Sequence, residues 1–267
     1  MSKGPDALLE VRGVSKVYPG RGERRQIQAL DDVSLEVRRG ETLGVVGESG
    51  SGKSTLARLL LALEQPTSGE ILFDGAPVSG RRERELEHLR RNVQVVFQDP
   101  MGSLDPRMRI GTAVSEPLRA LGIAGDRKAR VAELLEAVGL PPEAASRYPH
   151  EFSGGQRQRI AIARALAPRP TVLIADEAVS ALDVSVRAHV LNLLNRLIAD
   201  LGLTLVFISH DLSVIRWMCS RVVVLYRGEI VESGPTEQIY EHPQHPYTQA
   251  LLAAVPRIGK PIGRSAT

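Results

Sequence analysis

The sequence predicts an α/β fold built around a largely parallel sheet, with a block of helices inserted between its strands. Short runs rich in β-branched residues, such as VQVVFQ, TVLIADE and LTLVFISH, are typical of buried strands. From about Gly111 to Ala167, apolar residues recur at helical spacing, and this stretch is the predicted insertion. Strands and helices alternate outside it, a pattern that favours parallel pairing.

The first part of the chain is predicted to be mostly β-structure. LLEVRGVSKVY and ALDDVSLEV alternate polar and apolar residues, as half-exposed strands do. The short run TLGVV leads through a polar loop into LARLLLALE, which has the composition of a helix. GEILFDG then forms a short strand between glycines, and VQVVFQ a buried strand.

Strands return after the helical block. TVLIADE and LTLVFISH are predicted strands with a helix from about Val186 to Asp200 between them, and RVVVLY and GEIVESG follow. Two His-Pro steps then disfavour a helix, after which YTQALLAAV is predicted to be a short amphipathic one.

Composition argues against several classes of function. The net charge is only +3 over 267 residues, and arginines alternate with glutamates in segments such as RRERELEHLRR, as on a solvated face. Aromatic residues make up 4% of the chain, too few for a base-stacking surface, so no nucleic-acid partner is expected.

The chain has no run of 18 apolar residues and its N-terminus has no apolar signal core, so a soluble protein is expected. Cys219 is the only cysteine, which rules out a disulfide within the chain and a cysteine-built metal site. We expect it to be a small buried hydrophobic residue.

The segment GESGSGKST matches the phosphate-binding pattern G-x-x-x-x-G-K-[ST]. Backbone N–H groups in such a loop converge on phosphate oxygens, and the helix that follows adds its positive N-terminal end. Lys53 is expected to reach the β and γ phosphates, and the Ser54 hydroxyl to bind Mg²⁺. A flexible Gly/Ser turn without a ligand is the alternative, which the strand–loop–helix setting disfavours. The candidate ATP-binding residues here are Gly47, Glu48, Ser49, Gly50, Ser51, Gly52, Lys53, Ser54 and Thr55.

Polar residues follow two of the predicted strands. Asp176 and Glu177 come directly after VLIA, and we assign Asp176 to the magnesium ion and Glu177 to polarising the attacking water. His210 follows LTLVFIS and is a candidate γ-phosphate sensor, provided that its strand lies beside that of Glu177. Taken alone, the carboxylates could be solvated strand-end residues, and the histidine a helix cap or a core residue.

The segment FSGGQRQRIAIARAL, residues 152–166, resembles the signature of the ATP-binding cassette superfamily, whose usual form begins Leu-Ser-Gly-Gly-Gln. The free N–H groups of Ser153, Gly154 and Gly155 at the start of a helix would form a second anion site. The resemblance implies a P-loop NTPase core with a mostly parallel sheet, an antiparallel β subdomain and an inserted helical signature subdomain at about 99–167. It also implies that residues 1–234 form the ATPase domain.

In this superfamily two cassettes stack head to tail and share each ATP, so the resemblance implies that the signature contacts ATP bound to the partner subunit. It assigns Tyr18 to adenine stacking, Gln98 to sensing magnesium and the transmembrane partner, and His210 to the switch position. The residues assigned to the shared ATP are Ser153, Gly154, Gly155, Gln156 and Asp183, the last within SALD. The sequence departs from the usual pattern at two places. Phe152 replaces a leucine, an apolar change that should leave the N–H groups of the signature in place. Ala178-Val179 replaces Pro-Thr, but both carboxylates, Asp176 and Glu177, remain.

EHPQHPYTQALLAAVP and FQDPMGSLDPRMRIG resemble segments of ATPases that drive import of oligopeptides, dipeptides and nickel. We therefore expect an ATPase of a peptide importer, with nickel import as the alternative. A cassette ATPase acting on DNA or ribosomes is a further alternative; no long coiled coil and no second cassette is present to favour it. Residues 235–267 are assigned to a C-terminal extension. If this extension is accessory rather than part of the ATP site, truncation after about Gly234 should leave nucleotide binding largely intact.

The resemblance further implies a second ATPase subunit, identical or related, and two transmembrane permease subunits. An extracytoplasmic solute-binding protein would act through them indirectly. The expected location is the cytoplasmic face of the cell membrane, with the chain attached peripherally.

Overall fold

The computed structural model describes residues 7–20 and 26–254. Its strands are β1 (Ala7–Pro19), β2 (Gln26–Arg38), β3 (Thr42–Val46), β4 (Ser68–Phe73), β5 (Ala76–Pro77), β6 (Val93–Val96), β7 (Val172–Asp176), β8 (Thr204–Ile208), β9 (Arg221–Tyr226) and β10 (Glu229–Pro235). Its α-helices are α1 (Lys53–Leu60), α2 (Glu87–Asn92), α3 (Pro100–Ser103), α4 (Ile110–Ala120), α5 (Arg127–Ala137), α6 (Gly154–Leu166), α7 (Val184–Leu201), α8 (Leu212–Met218), α9 (Thr236–Glu241) and α10 (Pro246–Ala253).

The predicted parallel sheet is confirmed. Six strands pair in the order β10-β9-β3-β8-β7-β6, and every pairing except that of β10 with β9 is parallel. Parallel strands end at the same edge, so the residues that follow β3, β7 and β8 lie at one edge of the sheet. A second sheet, β2-β1-β4-β5, is antiparallel throughout.

The central sheet is covered on both faces. Alternate residues of β8 enter two different hydrophobic clusters: Leu205 and Phe207 pack with the helical insertion, whereas Val206 and Ile208 pack with α1 and the antiparallel sheet. Burial on both faces explains why this strand reads as a continuous apolar run rather than as an alternation. The two clusters fix the strand ends from which the polar site residues project.

One expectation differs in part from the structure, and some short helices were not predicted. VQVVFQ was expected to be a buried strand, and Val93 and Val96 are buried, but β6 lies at the edge of the sheet, and Phe97 beyond its end is 37% exposed. Periodicity does not distinguish an edge strand from a central one of similar composition. The short helices α2, α8 and α9 were not predicted.

Cys219 is buried, as expected, and burial raises the pKa of its thiol to about 12. Among the described residues no helix is both long and apolar enough to cross a membrane. The predicted amphipathic segment YTQALLAAV corresponds to α10, and its last residue lies outside the described part of the chain.

Candidate active site

The loop between β3 and α1 depends on two glycines. Gly47 has φ +154° and Gly52 φ +111°, both in a region that residues with a side chain rarely adopt. A Cβ atom on Gly47 would lie 2.2 Å from the Leu225 carbonyl oxygen, and one on Gly52 would lie 2.5 Å from that of Ala29. The backbone therefore follows this path only because neither residue has a side chain.

The start of α1 is open to an anion. No side chain caps its first N–H groups, because its N-cap residue is Gly52. Lys53 is 5% exposed, and its Nζ donates to the carbonyl oxygens of Gly47 and Glu48 over 2.7 and 2.8 Å. Burial lowers the pKa of Lys53, while the negative charges of Glu177, Asp176 and Glu48 oppose that shift. The ammonium group thus donates hydrogen bonds to backbone carbonyl oxygens, and a bound phosphate could take the place of these acceptors.

Asp176 lies at the end of β7 with a buried oxygen, Oδ1, that has no hydrogen-bond partner in the described structure. Burial raises the pKa of Asp176, the Glu177 carboxylate raises it further, and Arg58 and Lys53 lower it. Carboxylate and hydroxyl oxygens are ligands of the type that a hard cation such as Mg²⁺ prefers, and Ser54, which is exposed at the start of α1, carries such a hydroxyl. The residues present therefore fit a magnesium site.

Glu177 and His210 are in contact. Because β7 and β8 are neighbouring parallel strands, with Asp176 opposite Ile208, their following residues meet, and Glu177 Oε1 lies 3.1 Å from His210 Nδ1. The expected adjacency of the two strands is confirmed. The Glu177 backbone has φ +48°, and its N–H donates to the Ile208 carbonyl over 2.9 Å. A glutamate held in this conformation is constrained by its surroundings, as is common at functional sites.

Tyr18 and Gln98 belong to elements other than β3, β7 and β8, whose ends carry the residues described above. Tyr18 is in β1, and its hydroxyl donates to Glu64, while the Lys16 ammonium lies 4.9 Å from the centre of its ring. Gln98 is exposed and follows β6, the strand that pairs with β7. Its position places it at the same edge of the sheet as Asp176.

The signature segment begins α6, as predicted. Ser153 Oγ accepts from the Gln156 N–H over 3.3 Å, and the Ser153 N–H donates to Gln156 Oε1 over 2.9 Å. This reciprocal capping differs from the expectation that the Ser153 amide is free; the uncapped amides at the start of this helix are those of Gly154 and Gly155. A Cβ on Gly155 would lie 2.2 Å from Val186 Cγ1, so close packing of α6 on α7 also requires this glycine.

Asp183 caps α7 by accepting from the Val186 N–H over 2.9 Å. Across the described part of the chain, no hydrogen bond or ion pair joins residues 153–156 or Asp183 to the loop at 47–55. The structure therefore brings together the phosphate loop, Asp176, Glu177 and His210, but does not connect the signature to them.

Sequence reasoning missed Tyr247. Its hydroxyl accepts from the N–H of Glu48, within the phosphate loop, over 2.9 Å. This contact joins the C-terminal segment to the phosphate loop, which argues against the reading of that segment as an element separate from the candidate ATP site. Tyr247 and Glu48 are 199 positions apart in the chain. The His-Pro-Tyr sequence at 245–247 marks the segment as distinctive, but it does not predict a contact with the phosphate loop.

The fold and the site define a P-loop ATPase of the cassette type: a Gly-rich loop after a central parallel strand, two carboxylates at a neighbouring strand end, and a helical insertion that carries the signature. The chain belongs to the ABC transporter family, which it matches over residues 30–180. Residues 231–267 match a second family, described as the oligopeptide/dipeptide transporter, C-terminal region.

Curated relatives agree with this assignment. The chain is 53% identical over 251 residues to a putative peptide import ATP-binding protein of Brucella ovis, covering 93% of this chain and 78% of that protein. It is also 53% identical over 258 residues to the glutathione import ATP-binding protein of Salmonella paratyphi A, covering 94% of this chain and 41% of that protein. The chain thus spans less than half of the second relative.

Solved structures show the same fold. One is a dimeric ATP-binding cassette in a post-hydrolysis state bound to ADP and phosphate, with a TM-score of 0.76 and 32% identity, covering 85% of this chain and 98% of that one. Another is a protein from Clostridium perfringens that is part of an ABC transporter complex, with a TM-score of 0.77 and 29% identity, covering 89% of this chain and 92% of that one. The chain is therefore an ATPase of the ABC transporter family.

Proposed function

We propose that this chain is the ATP-hydrolysing subunit of an importer for dipeptides or oligopeptides. The observation that carries the proposal is the match of residues 231–267 to the C-terminal region of oligopeptide and dipeptide transporters, next to a cassette. The names of the Brucella and Salmonella relatives support it, and glutathione is itself a tripeptide. We divide the chain into an ATPase domain, 1–234, with its helical subdomain at about 99–167, and a C-terminal extension, 235–267.

In the proposed mechanism the loop amides and the N-terminus of α1 bind the phosphates, and Lys53 transfers its hydrogen bonds from the loop carbonyls to the β and γ phosphates. Ser54, Asp176 and Gln98 would hold Mg²⁺, which when bound neutralises charge that develops on the phosphate oxygens. Tyr18 would stack on adenine once the Lys16 ammonium has moved away from the face of its ring.

Glu177 would orient the attacking water and accept its proton. His210, which lies 3.1 Å from Glu177, would position that carboxylate and sense the γ phosphate. The arrangement supports this because both residues lie at the edge of the sheet from which the phosphate loop also starts. One ATP bound at this edge would therefore be within reach of all three elements.

The signature helix would complete the site of a partner subunit. Ser153, Gln156 and Asp183 are exposed, and the amides of Gly154 and Gly155 have no cap. No hydrogen bond or ion pair in the described structure joins these residues to the phosphate loop of their own chain. Head-to-tail pairing with an identical or related ATPase would place these residues on the partner's ATP. The dimeric cassette among the similar structures supports this arrangement.

The ATPase dimer would act on two transmembrane permease subunits from the cytoplasmic face of the membrane. A solute-binding protein would deliver cargo to the permeases on the opposite face. Nickel import is the alternative cargo, because the C-terminal segment resembles nickel-importer ATPases as well. Action on DNA or ribosomes has less support, since neither the family matches nor the named relatives point to it.

Reconstitution tests the cargo. The chain, the permeases encoded beside its gene and their solute-binding protein would be assembled in proteoliposomes with ATP inside, and uptake of a labelled tripeptide would be compared with that of Ni²⁺. We expect uptake of the peptide, dependent on ATP and absent when the chain carries Lys53→Ala. Uptake of Ni²⁺ without uptake of peptide would overturn the proposed cargo in favour of the alternative.

A further inference from the structure

We propose that Tyr247 is a positioning residue for the phosphate loop, through which the C-terminal extension contributes to nucleotide affinity. The inference rests on the proposed role of residues 47–55 in binding the ATP phosphates. It does not depend on the identity of the cargo.

The contact acts on a single peptide unit, the one between Gly47 and Glu48. The N–H of this unit donates to the Tyr247 hydroxyl over 2.9 Å, and its carbonyl oxygen accepts from Lys53 Nζ over 2.7 Å. The two ends of one rigid plane are therefore held by side chains from two distant parts of the chain. Gly47 precedes this plane and places little restriction on its rotation.

Binding of a phosphate changes the balance of these contacts. When Lys53 turns towards the β and γ phosphates it releases the Gly47 carbonyl, and the hydroxyl of Tyr247 then holds the plane from its other end. The amide of Ser51 donates to the Glu48 carbonyl over 3.2 Å, so the orientation of the first plane affects the path of the next residues of the loop. Tyr247 thus keeps the loop in the shape that its later amides need to converge on an anion.

The tyrosine is itself held firmly. The carboxylate of Glu232 in β10 accepts from the N–H groups of Gln244 and His245 over 2.8 and 3.0 Å, which fixes the approach to α10. His245 then caps the helix through Nδ1, which accepts from the Tyr247 N–H over 3.2 Å. A residue that positions another group must itself be held in place by supporting hydrogen bonds, as Tyr247 is here.

The ring of Tyr247 packs on Tyr226 at the end of β9, with centroids 4.0 Å apart. Since β9 pairs with β3, this contact places the hydroxyl beside the strand that leads into the loop. Burial raises the pKa of Tyr247, which favours the neutral phenol. The neutral hydroxyl accepts the hydrogen bond from the Glu48 N–H. The hydroxyl can then be removed by Tyr247→Phe while the ring and its packing remain.

The test compares Tyr247→Phe with Tyr240→Phe. Tyr240 is in the same extension and its hydroxyl also makes a hydrogen bond, to the Leu212 carbonyl, but it does not contact the phosphate loop. We expect Tyr247→Phe to weaken binding of Mg-ATP by roughly two- to tenfold, the range for one neutral hydrogen bond, and to raise KM by the same factor with kcat retained. Tyr240→Phe should leave the affinity unchanged.

Hydrogen–deuterium exchange gives a second readout that reports on the contact itself. The Glu48 amide should exchange faster in Tyr247→Phe, and at the wild-type rate in Tyr240→Phe. Wild-type affinity and exchange in Tyr247→Phe would overturn the inference, as would equal losses of affinity in both variants. If Lys53→Ala abolishes binding while Tyr247→Phe does not affect it, only this inference fails; if Lys53→Ala binds normally, the proposed phosphate site itself fails.

Discussion

Replacement of Glu177 by glutamine is expected to lower kcat by about 10²- to 10⁴-fold, the usual contribution of a general base. Glutamine has nearly the same size and can still form a hydrogen bond with His210, which lies 3.1 Å from the carboxylate. It lacks the negative charge that draws a proton from water. Binding of ATP should survive, because Lys53, Ser54 and the loop amides are unchanged.

The same substitution should trap the dimer, because an ATP that joins two subunits and is not hydrolysed keeps them together. Size-exclusion chromatography with Mg-ATP would compare wild type, Glu177→Gln and a double variant that adds Ser153→Arg. The arginine would obstruct the start of α6, where the uncapped amides lie. We expect a dimer for the single variant and a monomer for the double variant, with the related ATPase added if the chain does not pair with itself. Hydrolysis at the wild-type rate by Glu177→Gln would falsify the catalytic assignment.

The Glu177–His210 contact illustrates what the sequence could predict. The apolar runs before both residues indicated strands, and parallel pairing of strands places their ends together. Neither inference needs the details of packing, because strand direction alone brings the side chains to one edge. The structure adds the atoms that meet, Oε1 and Nδ1, and the left-handed backbone conformation of Glu177.

Other features could not be predicted because they depend on long-range packing. The contact of Tyr247 with Glu48 requires that β9, β10 and α10 fold back beside β3, and local periodicity carries no information about that path. The same holds for the edge position of β6. The capping of Ser153 by Gln156 was readable in principle, since Ser-x-x-Gln is a capping-box pattern, but the segment was interpreted only as an anion site.

Lys53→Ala is expected to abolish binding of ATP at ordinary concentrations. The ammonium group is the positive charge within the loop, and the nearby carboxylates of Asp176 and Glu177 would repel the phosphates without it. The loop should also lose order in the absence of nucleotide, because the Gly47 and Glu48 carbonyls both accept from Lys53. Tyr247 would then be the side chain that still holds the first peptide plane of the loop.

Calorimetry with Mg-ATP would measure this loss, and circular dichroism would show that the variant is folded. Lys128→Ala is the matched control, since Lys128 is an exposed lysine on α5, in the helical insertion rather than in the loop. It should bind ATP as wild type does, which separates the position of the charge from the change in net charge. If a folded Lys53→Ala protein retains the wild-type affinity, the phosphates are bound elsewhere, and the roles proposed for Asp176, Glu177 and Tyr247 lose their common basis.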